Sequence, residues 1–281
     1  MKETLLEEIE RLHDLEKYQE IIDLIEALPA ERLNTELMGE LGRAYNNIEE
    51  YEKGLEILKS IENEVGDTAL WNWRIGYSYF FLEDYTKAEK HFLKVYEQEP
   101  DNEKACDFLV GTYIALGEIE EENGNSEKAI EYALARNAPP QQAARAAPPV
   151  GGGNGLRHGL TMPVRGQVQG RFGVDRPDGG VWRGVVLRAP EGTPVKVVAP
   201  GTVVYADWLR GFGNLIIVDH GQQYLTVYAY NQSLLKRVGD SVTGGDTIAT
   251  VGATGGQVES GLYFEIRHRG APVDPAQWLA Q

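Results

Sequence analysis

Two patterns of apolar residues divide the chain. Up to about residue 136 the pattern is helical, beginning with a helix pair predicted at Glu3–Leu28 with a break near Leu15–Lys17. From Met162 it changes to short β-branched runs separated by Gly and Pro, which is typical of strands and tight turns. The predicted strands are Pro194–Ala199, Thr202–Trp208, Leu215–Asp219, Tyr224–Tyr230, Thr247–Val251 and Leu262–Arg267.

A repeat of 34 residues runs through the helical part. Thr35–Thr68, Ala69–Asn102 and the residues from Glu103 onward align in register. This period resembles the tetratricopeptide repeat, a solenoid of helix pairs with a concave face for a protein or peptide partner. In the second copy, the positions where this repeat requires large, small, aromatic, small, aromatic and helix-ending residues are occupied, in that order, by Ile75, Gly76, Tyr79, Ala88, Phe92 and Pro100. The repeat does not indicate which partner is bound.

Charge and composition change at the same place. Residues 1–136 hold 14 Lys and Arg against 33 Asp and Glu, a net charge of −19, whereas the rest of the chain carries +3. The acidic part would repel phosphates, which argues against a nucleic-acid partner. Residues 137–161 are rich in Ala, Pro and Gly and predict a linker. The predicted domains are therefore 1–136 and 162–281, which have either different roles or different origins.

Further features exclude other classes of protein. One cysteine, Cys106, rules out an intramolecular disulfide and a cysteine-based metal site. No apolar run approaches the ~20 residues that a membrane span needs. The acidic, amphipathic start at Met1–Glu8 is unlike a secretory signal peptide. Taken as it stands, the sequence predicts a cytoplasmic chain or an engineered fusion.

Phrases in the C-terminal part resemble the LytM, or lysostaphin-like, family of zinc peptidases that cleave peptidoglycan. They follow the order found in that family, and the clearest are Ala189–Val195, Val218–Gly221, Val238–Val242 and Leu262–Arg267. The resemblance covers about residues 163–281 and implies a mainly antiparallel β domain. The chain is thus predicted to be a multidomain α and β protein, with a tetratricopeptide solenoid followed by a LytM-type domain.

The zinc-binding and catalytic positions of that family are occupied here by residues without suitable donor atoms. Catalytic members bind zinc through a His-x-x-x-Asp pair and the second His of a His-x-His strand, and further histidines assist catalysis. The resemblance places Trp182, Val186, Tyr230, Gly261 and Tyr263 at these positions. Indole and isopropyl groups cannot bind zinc, and a neutral phenol is a poor ligand. We therefore predict no catalytic residues, no metal, no cofactor and no peptidase activity.

One branch of the family, the EnvC-type murein hydrolase activators, matches this part closely. Its match rests on Trp182–Gly184, Asp207–Gly213, Tyr228–Ser233, Leu262–Arg267 and Asp274–Leu279. The resemblance implies that the cleft binds and activates a periplasmic N-acetylmuramoyl-L-alanine amidase, and hence a periplasmic location. It assigns to the amidase-binding cleft Arg183, Phe212, Leu215, Tyr228, Tyr263 and Arg267.

Two other interpretations stay open at this point. In the first, the domain is a zinc endopeptidase with atypical ligands, and His220 is the residue to test. In the second, the tetratricopeptide part is the functional scaffold and the β domain is a passive module. Metal content distinguishes the first from an activator, and partner binding by residues 1–136 distinguishes the second.

Overall fold

The computed structural model describes residues 4–137, 154–177 and 179–280, so most of the predicted linker lies outside the described residues. The described chain forms two compact units. The first is residues 4–116, and the second combines residues 117–137 with the C-terminal part from residue 154. The sequence predicts a domain boundary at residue 136. In the structure the helical segment 117–137 instead groups with the β domain and not with the repeats.

Nine helices occur in the part of the chain that the structure describes. They are α1 (Leu5–Asp14), α2 (Tyr18–Glu26), α3 (Thr35–Asn47), α4 (Tyr51–Ser60), α5 (Glu62–Val65), α6 (Ala69–Phe81), α7 (Tyr85–Gln98), α8 (Glu103–Glu122) and α9 (Ser126–Asn137). Several of these helices begin after a polar residue whose side chain caps the first turn. Thr4 and Glu7 form a reciprocal capping box at α1, and Asn34 accepts a hydrogen bond from Leu37 N at the start of α3.

Small residues set the spacing within the repeats, as the pattern predicts. A Cβ atom on Gly76 of α6 would lie 2.9 Å from Cε1 of Phe92 on α7, so only glycine fits there without displacing the ring. Ile75, Ala88 and Phe92 are all buried around this contact. Buried polar groups join successive repeats, because Asn46 donates to the carbonyl of Arg74 at 3.0 Å.

The length of α8 explains the position of the unit boundary. It runs for 20 residues, and its last part is rich in strong helix formers and contains no proline. The helix therefore continues past the repeat length instead of turning back. The residues from Gly117 onward, including α9, then pack with the second unit.

The described residues of the second unit form eleven strands. The strands are β1 (Gln167–Gly170), β2 (Val185–Arg188), β3 (Pro194–Lys196), β4 (Gly201–Leu209), β5 (Gly213–Asp219), β6 (Tyr224–Asn231), β7 (Ser233–Leu234), β8 (Ser241–Val242), β9 (Thr247–Thr250), β10 (Gly261–His268) and β11 (Ala271–Val273). They pair antiparallel in two sheets. The larger has the order β1-β2-β10-β6-β5-β4-β8 with β11 on β10, and the smaller has the order β3-β9-β7.

The larger sheet is covered on both faces. One face packs with the smaller sheet in a core that includes Val195, Ile248 and Phe264. The other face carries a second cluster that includes Ile217, Tyr263 and, from α9, Ile130. All six predicted strands are present, so the predicted α and β fold class is confirmed. Within the described ranges, none of the helices is both long and apolar enough to cross a membrane.

Candidate functional site

Strand β10 places three polar side chains on one face of the larger sheet. Because side chains alternate along a strand, Tyr263, Glu265 and Arg267 point one way and their apolar neighbours point to the opposite core. The Tyr263 hydroxyl donates to Oε2 of Glu265 at 2.7 Å, and Arg267 Nε donates to the other carboxylate oxygen. All three side chains are buried. These two hydrogen bonds hold the three side chains in place on the sheet face where the candidate site lies.

Side chains from four other segments surround the ring of Tyr263. Its centroid lies 6.3 Å from Trp182, 5.8 Å from Phe212 and 5.6 Å from Tyr230, and Val186 is its direct partner across β2. We call these five residues the Tyr263 cluster. Four of the five predicted metal and catalytic positions are thus brought together, with Phe212 added. The fifth, Gly261, lies on the same strand two residues earlier.

Backbone geometry at Tyr230 contributes to this arrangement. Strict alternation along β6 would place Tyr230 on the same face as Tyr228, which belongs to the opposite core. Instead Tyr230 has a left-handed backbone with φ of 68°, stabilised by a hydrogen bond of 2.8 Å from its N–H to the carbonyl of Phe212. The left-handed residue breaks the alternation, so that the Tyr230 ring joins the Tyr263 side.

The residue at Gly261 has little room for a side chain. A Cβ atom there would lie 3.0 Å from the carbonyl oxygen of Leu187 and 3.2 Å from a guanidinium nitrogen of Arg188. Trp182 packs closely against Gly170, because a Cβ atom on Gly170 would lie 2.8 Å from the indole. Arg176 lies over the same indole at 4.9 Å from the ring centroid. These contacts hold the indole in place, and Trp182 stays half-buried.

The chemistry of the Tyr263 cluster does not fit a zinc ion. Burial, reinforced by the neighbouring Glu265, holds the pKa of Tyr263 well above its usual value, so its phenol stays neutral. Its hydroxyl is already committed to Glu265. Zinc sites in enzymes use three nitrogen or carboxylate donors, and neither Trp182 nor Val186 supplies one. Within the described residues, three or more His, Cys, Asp or Glu side chains nowhere converge as a metal site.

His220, the residue that an atypical zinc site would need, is engaged elsewhere. It is fully buried, with Nδ1 2.8 Å from the carbonyl of Pro200 and Nε2 2.7 Å from the hydroxyl of Thr226. Burial lowers the pKa of His220. With both ring nitrogens hydrogen-bonded, this histidine stabilises the turn after β5 and does not face the Tyr263 cluster.

The structure separates the six residues assigned to the amidase-binding cleft. Phe212, Leu215 and Tyr263 lie in one cluster on the Tyr263 side, and Arg183 is half-buried next to Trp182 in the chain. Tyr228 lies in the opposite core, where its hydroxyl accepts a hydrogen bond from Val198 N at 3.1 Å. Arg267 is 2% exposed. In this conformation Tyr228 and Arg267 are packed side chains.

Helix α9 covers part of the sheet face that carries Tyr263, and the sequence pattern does not predict this contact. Ile130, Ala133 and Leu134 of α9 pack into the cluster with Phe212 and Tyr263. The spacing of these three residues, i, i+3 and i+4, is a sign of an apolar helix face, but the same spacing fits a final repeat helix. The sequence therefore gives no indication of which surface α9 contacts.

Charged contacts hold α9 in place at one end. Arg136 forms an ion pair of 2.7 Å with Asp207, and its guanidinium lies 5.0 Å from the ring centroid of Tyr205. At the end of α8, Glu122 pairs with Arg210. Burial raises the pKa of the adjacent Glu121, which the charges of Arg176 and Arg210 partly offset. Helical and β residues thus share apolar and charged contacts within one unit.

Each part of the chain matches the model of a known family over part of its length. Residues 180–275 match the family model of Peptidase family M23, and residues 72–102 match that of the tetratricopeptide repeat. The murein hydrolase activator EnvC of Escherichia coli K12 is 45% identical over 131 residues, which are 46% of this chain and 31% of EnvC. The murein hydrolase activator NlpD of Salmonella dublin is 41% identical over 120 residues, 42% of this chain and 31% of NlpD.

Among solved structures, a zinc-containing peptidase from Vibrio cholerae is 29% identical with a TM-score of 0.40, covering 42% of this chain and 39% of that chain. The chain spans about a third of the length of the two activators it matches. The matches to the two family models and to EnvC confirm the two predicted resemblances, to tetratricopeptide repeats in the N-terminal part and to the LytM (Peptidase M23) domain of EnvC in the C-terminal part.

Proposed function

Since the C-terminal part of this chain is a Peptidase family M23 domain similar to proteins named murein hydrolase activators, we propose that it is a non-catalytic activator of a peptidoglycan hydrolase. The proposed partner is a periplasmic N-acetylmuramoyl-L-alanine amidase, and the proposed place of action is the periplasm. The tetratricopeptide part serves as a separate interaction module.

The observation that carries the proposal is the carbon-filled Tyr263 cluster. An M23 peptidase needs an activated water on zinc, and the positions that the resemblance assigns to the metal ligands carry Trp182, Val186 and Tyr263. With aromatic rings and a valine in place of metal ligands, the domain lacks a site that activates water, while the β sheet around that site is retained. A domain of this kind acts by binding.

The rim of the cluster has the chemistry of a protein-binding surface. Arg210 is exposed, and Trp182 and Arg183 are half-buried. Tryptophan and arginine dominate the binding energy of protein interfaces, typically ~2 kcal/mol or more for a central residue. Activation requires that this surface bind the active conformation of the amidase more tightly than the inactive one, because equal affinity would shift no population.

The position of α9 limits which residues a partner reaches. With α9 in place, the amidase contacts the exposed rim, and contact with Phe212 or Tyr263 requires α9 to leave the sheet. Arg183 and Trp182 are therefore the residues to test first. Tyr228 and Arg267 act on binding through the fold rather than by contact.

The test is a peptidoglycan dye-release assay with a purified amidase. The chain alone is expected to release no dye, with or without added zinc, and to raise amidase turnover when added to it. Arg183→Glu should reduce this stimulation, whereas Arg165→Glu, a charge reversal at an exposed position of the same unit, should not. Dye release by the chain alone that depends on zinc would overturn the proposal, and so would stimulation that survives Arg183→Glu combined with Trp182→Ala.

A further inference from the structure

Strand β1 forms one edge of the larger sheet. Among the described residues it pairs only with β2, so no strand lies along its other side. Gln167, Val168 and Gln169 of this strand are all exposed. Alternate residues of an edge strand direct their N–H and C=O groups away from the sheet, where a further strand can pair with them. Strand β1 is therefore accessible to an extended segment of another chain.

An apolar pocket lies on one face of this edge. Because directly paired residues share a face, Val168 lies on the same face as Leu187, opposite the face that carries Tyr263. Val168 is 45% exposed there, whereas Leu187 is fully buried. The pocket has a volume of about 670 Å³, which is in the range of sites for small ligands. We call it the β1 pocket, and its walls include Val168, Phe172, Val174, Leu187 and Leu279.

The β1 pocket is apolar surface that the core of this unit does not fill. Nine of its eleven lining residues are apolar. The smaller sheet covers the same face elsewhere, but none of its described residues lines the pocket. An apolar side chain that enters the pocket removes this surface, and its own surface, from water.

The two charged residues that line the β1 pocket are not equivalent. Asp274 caps the turn Pro275–Gln277, because its carboxylate accepts a hydrogen bond from Ala276 N at 3.0 Å. Arg171 directly follows β1 and is exposed. None of the ion pairs between described residues of this unit involves Arg171. The guanidinium is thus the charge that a ligand reaches, and it favours a carboxylate.

The opposite face of β1 is polar. Gln167 is paired with Arg188 of β2, whose guanidinium contacts the side chain of Gln169 and lies 3.4 Å from the carboxylate of Glu259. The charges on this face are therefore already matched. Since side chains alternate along a strand, a segment beside β1 meets apolar surface on one face and polar groups on the other. This arrangement selects a segment in which apolar and polar residues alternate.

We propose that β1 binds an extended peptide segment of a partner protein by strand addition, with an apolar side chain in the β1 pocket and a carboxylate next to Arg171. Backbone hydrogen bonds to the open edge supply affinity, and the pocket selects the side chain. The site lies on the face opposite Tyr263. The inference is therefore independent of the activator function proposed above.

The experiment is a fluorescence-anisotropy titration of the full chain with a dye-labelled hexapeptide of alternating Thr and Leu residues that ends in Glu. Two further forms carry N-methyl groups, one on the Leu amides and the other on the Thr amides. Only one of these two forms should lose affinity, by about tenfold, because a strand pairs with its neighbour through every second residue. Equal affinities of the two N-methylated forms would overturn strand addition.

Matched peptides test the side chains. Replacing the Leu residues with Ser should weaken binding about tenfold or more, because the pocket then gains no apolar group. Replacing Glu with Gln should weaken binding to the chain, and Arg171→Gln should remove this difference between the two peptides. A preference for Glu that persists unchanged in Arg171→Gln would contradict the placement of the carboxylate.

A pair of variants locates the binding at the pocket. Val174→Asp puts a charge on the pocket wall and should weaken binding about tenfold, whereas Val238→Asp should not. The two valines are matched, at 53% and 49% exposure, and Val238 does not line the pocket. Equal loss in both variants would place the site elsewhere.

Hydrogen exchange identifies the strand directly. Bound peptide should slow the exchange of amides in β1 and leave those in β8, at the other edge of the same sheet, unchanged. Protection of β8 without β1 would overturn the proposal. Sedimentation of the chain as a dimer that Val174→Asp dissociates would assign the edge to a second copy and overturn a peptide partner.

Discussion

Arg267 offers a direct test of how the C-terminal unit is held together. Its side chain is 2% exposed and that of its partner Glu265 is 1% exposed, so the pair is removed from water. In the variant Arg267→Met the carboxylate of Glu265 loses its counter-ion and keeps the Tyr263 hydroxyl as a donor. Removing one partner of a buried ion pair costs about 3–5 kcal/mol, because the remaining charge stays desolvated.

The expected change is large enough to measure by calorimetry. For a unit of this size, each 1 kcal/mol lowers the Tm by about 2–4 °C, so Arg267→Met should lower the transition of the C-terminal unit by roughly 6–20 °C. Differential scanning calorimetry is the measurement. Arg165→Met, at an exposed arginine of the same unit, is the matched control and should change stability by less than about 0.5 kcal/mol.

A double-mutant cycle separates the ion pair from a general loss of packing. If the pair is the cause, Glu265→Gln together with Arg267→Met should cost less than the sum of the two single variants, with a coupling of about 1 kcal/mol or more. A cost of Arg267→Met no greater than that of Arg165→Met would refute the reasoning. It would mean that Arg267 is solvated and available to a partner, as the resemblance to the activators implies.

Three further outcomes follow from the described contacts. Gly76→Ala should destabilise the helical unit by about 1–3 kcal/mol in urea unfolding, since its new Cβ meets the ring of Phe92; an unchanged midpoint would contradict the close packing. Burial, with nearby Lys charges, lowers the pKa of His91 to about 4, so below pH 6.5 the unfolded chain binds a proton that the folded chain does not. Urea midpoints of the helical unit should therefore fall between pH 6.5 and 4, and less so in His91→Gln; identical pH profiles would count against a buried neutral imidazole. Arg136→Ala removes the ion pair with Asp207 and should accelerate amide hydrogen exchange in α9 and leave α7 unaffected, a pattern that uniform exchange rates would disprove.

The elements were predictable because their signals are local. The 34-residue period places the repeat helices, and short β-branched runs place six of the eleven strands in the described residues to within three residues at each end. Four members of the Tyr263 cluster, Trp182, Val186, Tyr230 and Tyr263, are residues that the resemblance assigned to the metal and catalytic positions. The structure brings these four together on one side of the larger sheet.

Orientation and long-range packing were not predictable in the same way. Strand β6 is buried on both faces, so its apolar sequence does not tell which side Tyr228 faces, and the left-handed backbone at Tyr230 then breaks the alternation. From the sequence alone, an arginine such as Arg267 would be expected at the surface. Its burial follows from the ion pair with Glu265, which the sequence does not reveal. Ile130 and Ala133 show that α9 has an apolar face, but the choice between repeats and β sheet depends on contacts with residues some 80 positions away.

The pairing of Glu40 with Arg74 has a consequence for how this array can vary. The two residues occupy the same place in successive repeats, 34 residues apart, yet carry opposite charges. An exact duplication of the repeat containing Glu40 would set two carboxylates against each other in a largely buried position, and one of the repeat containing Arg74 would do the same with two guanidinium groups. The array therefore has a fixed order, and new repeats can be added only where they do not interrupt this pair.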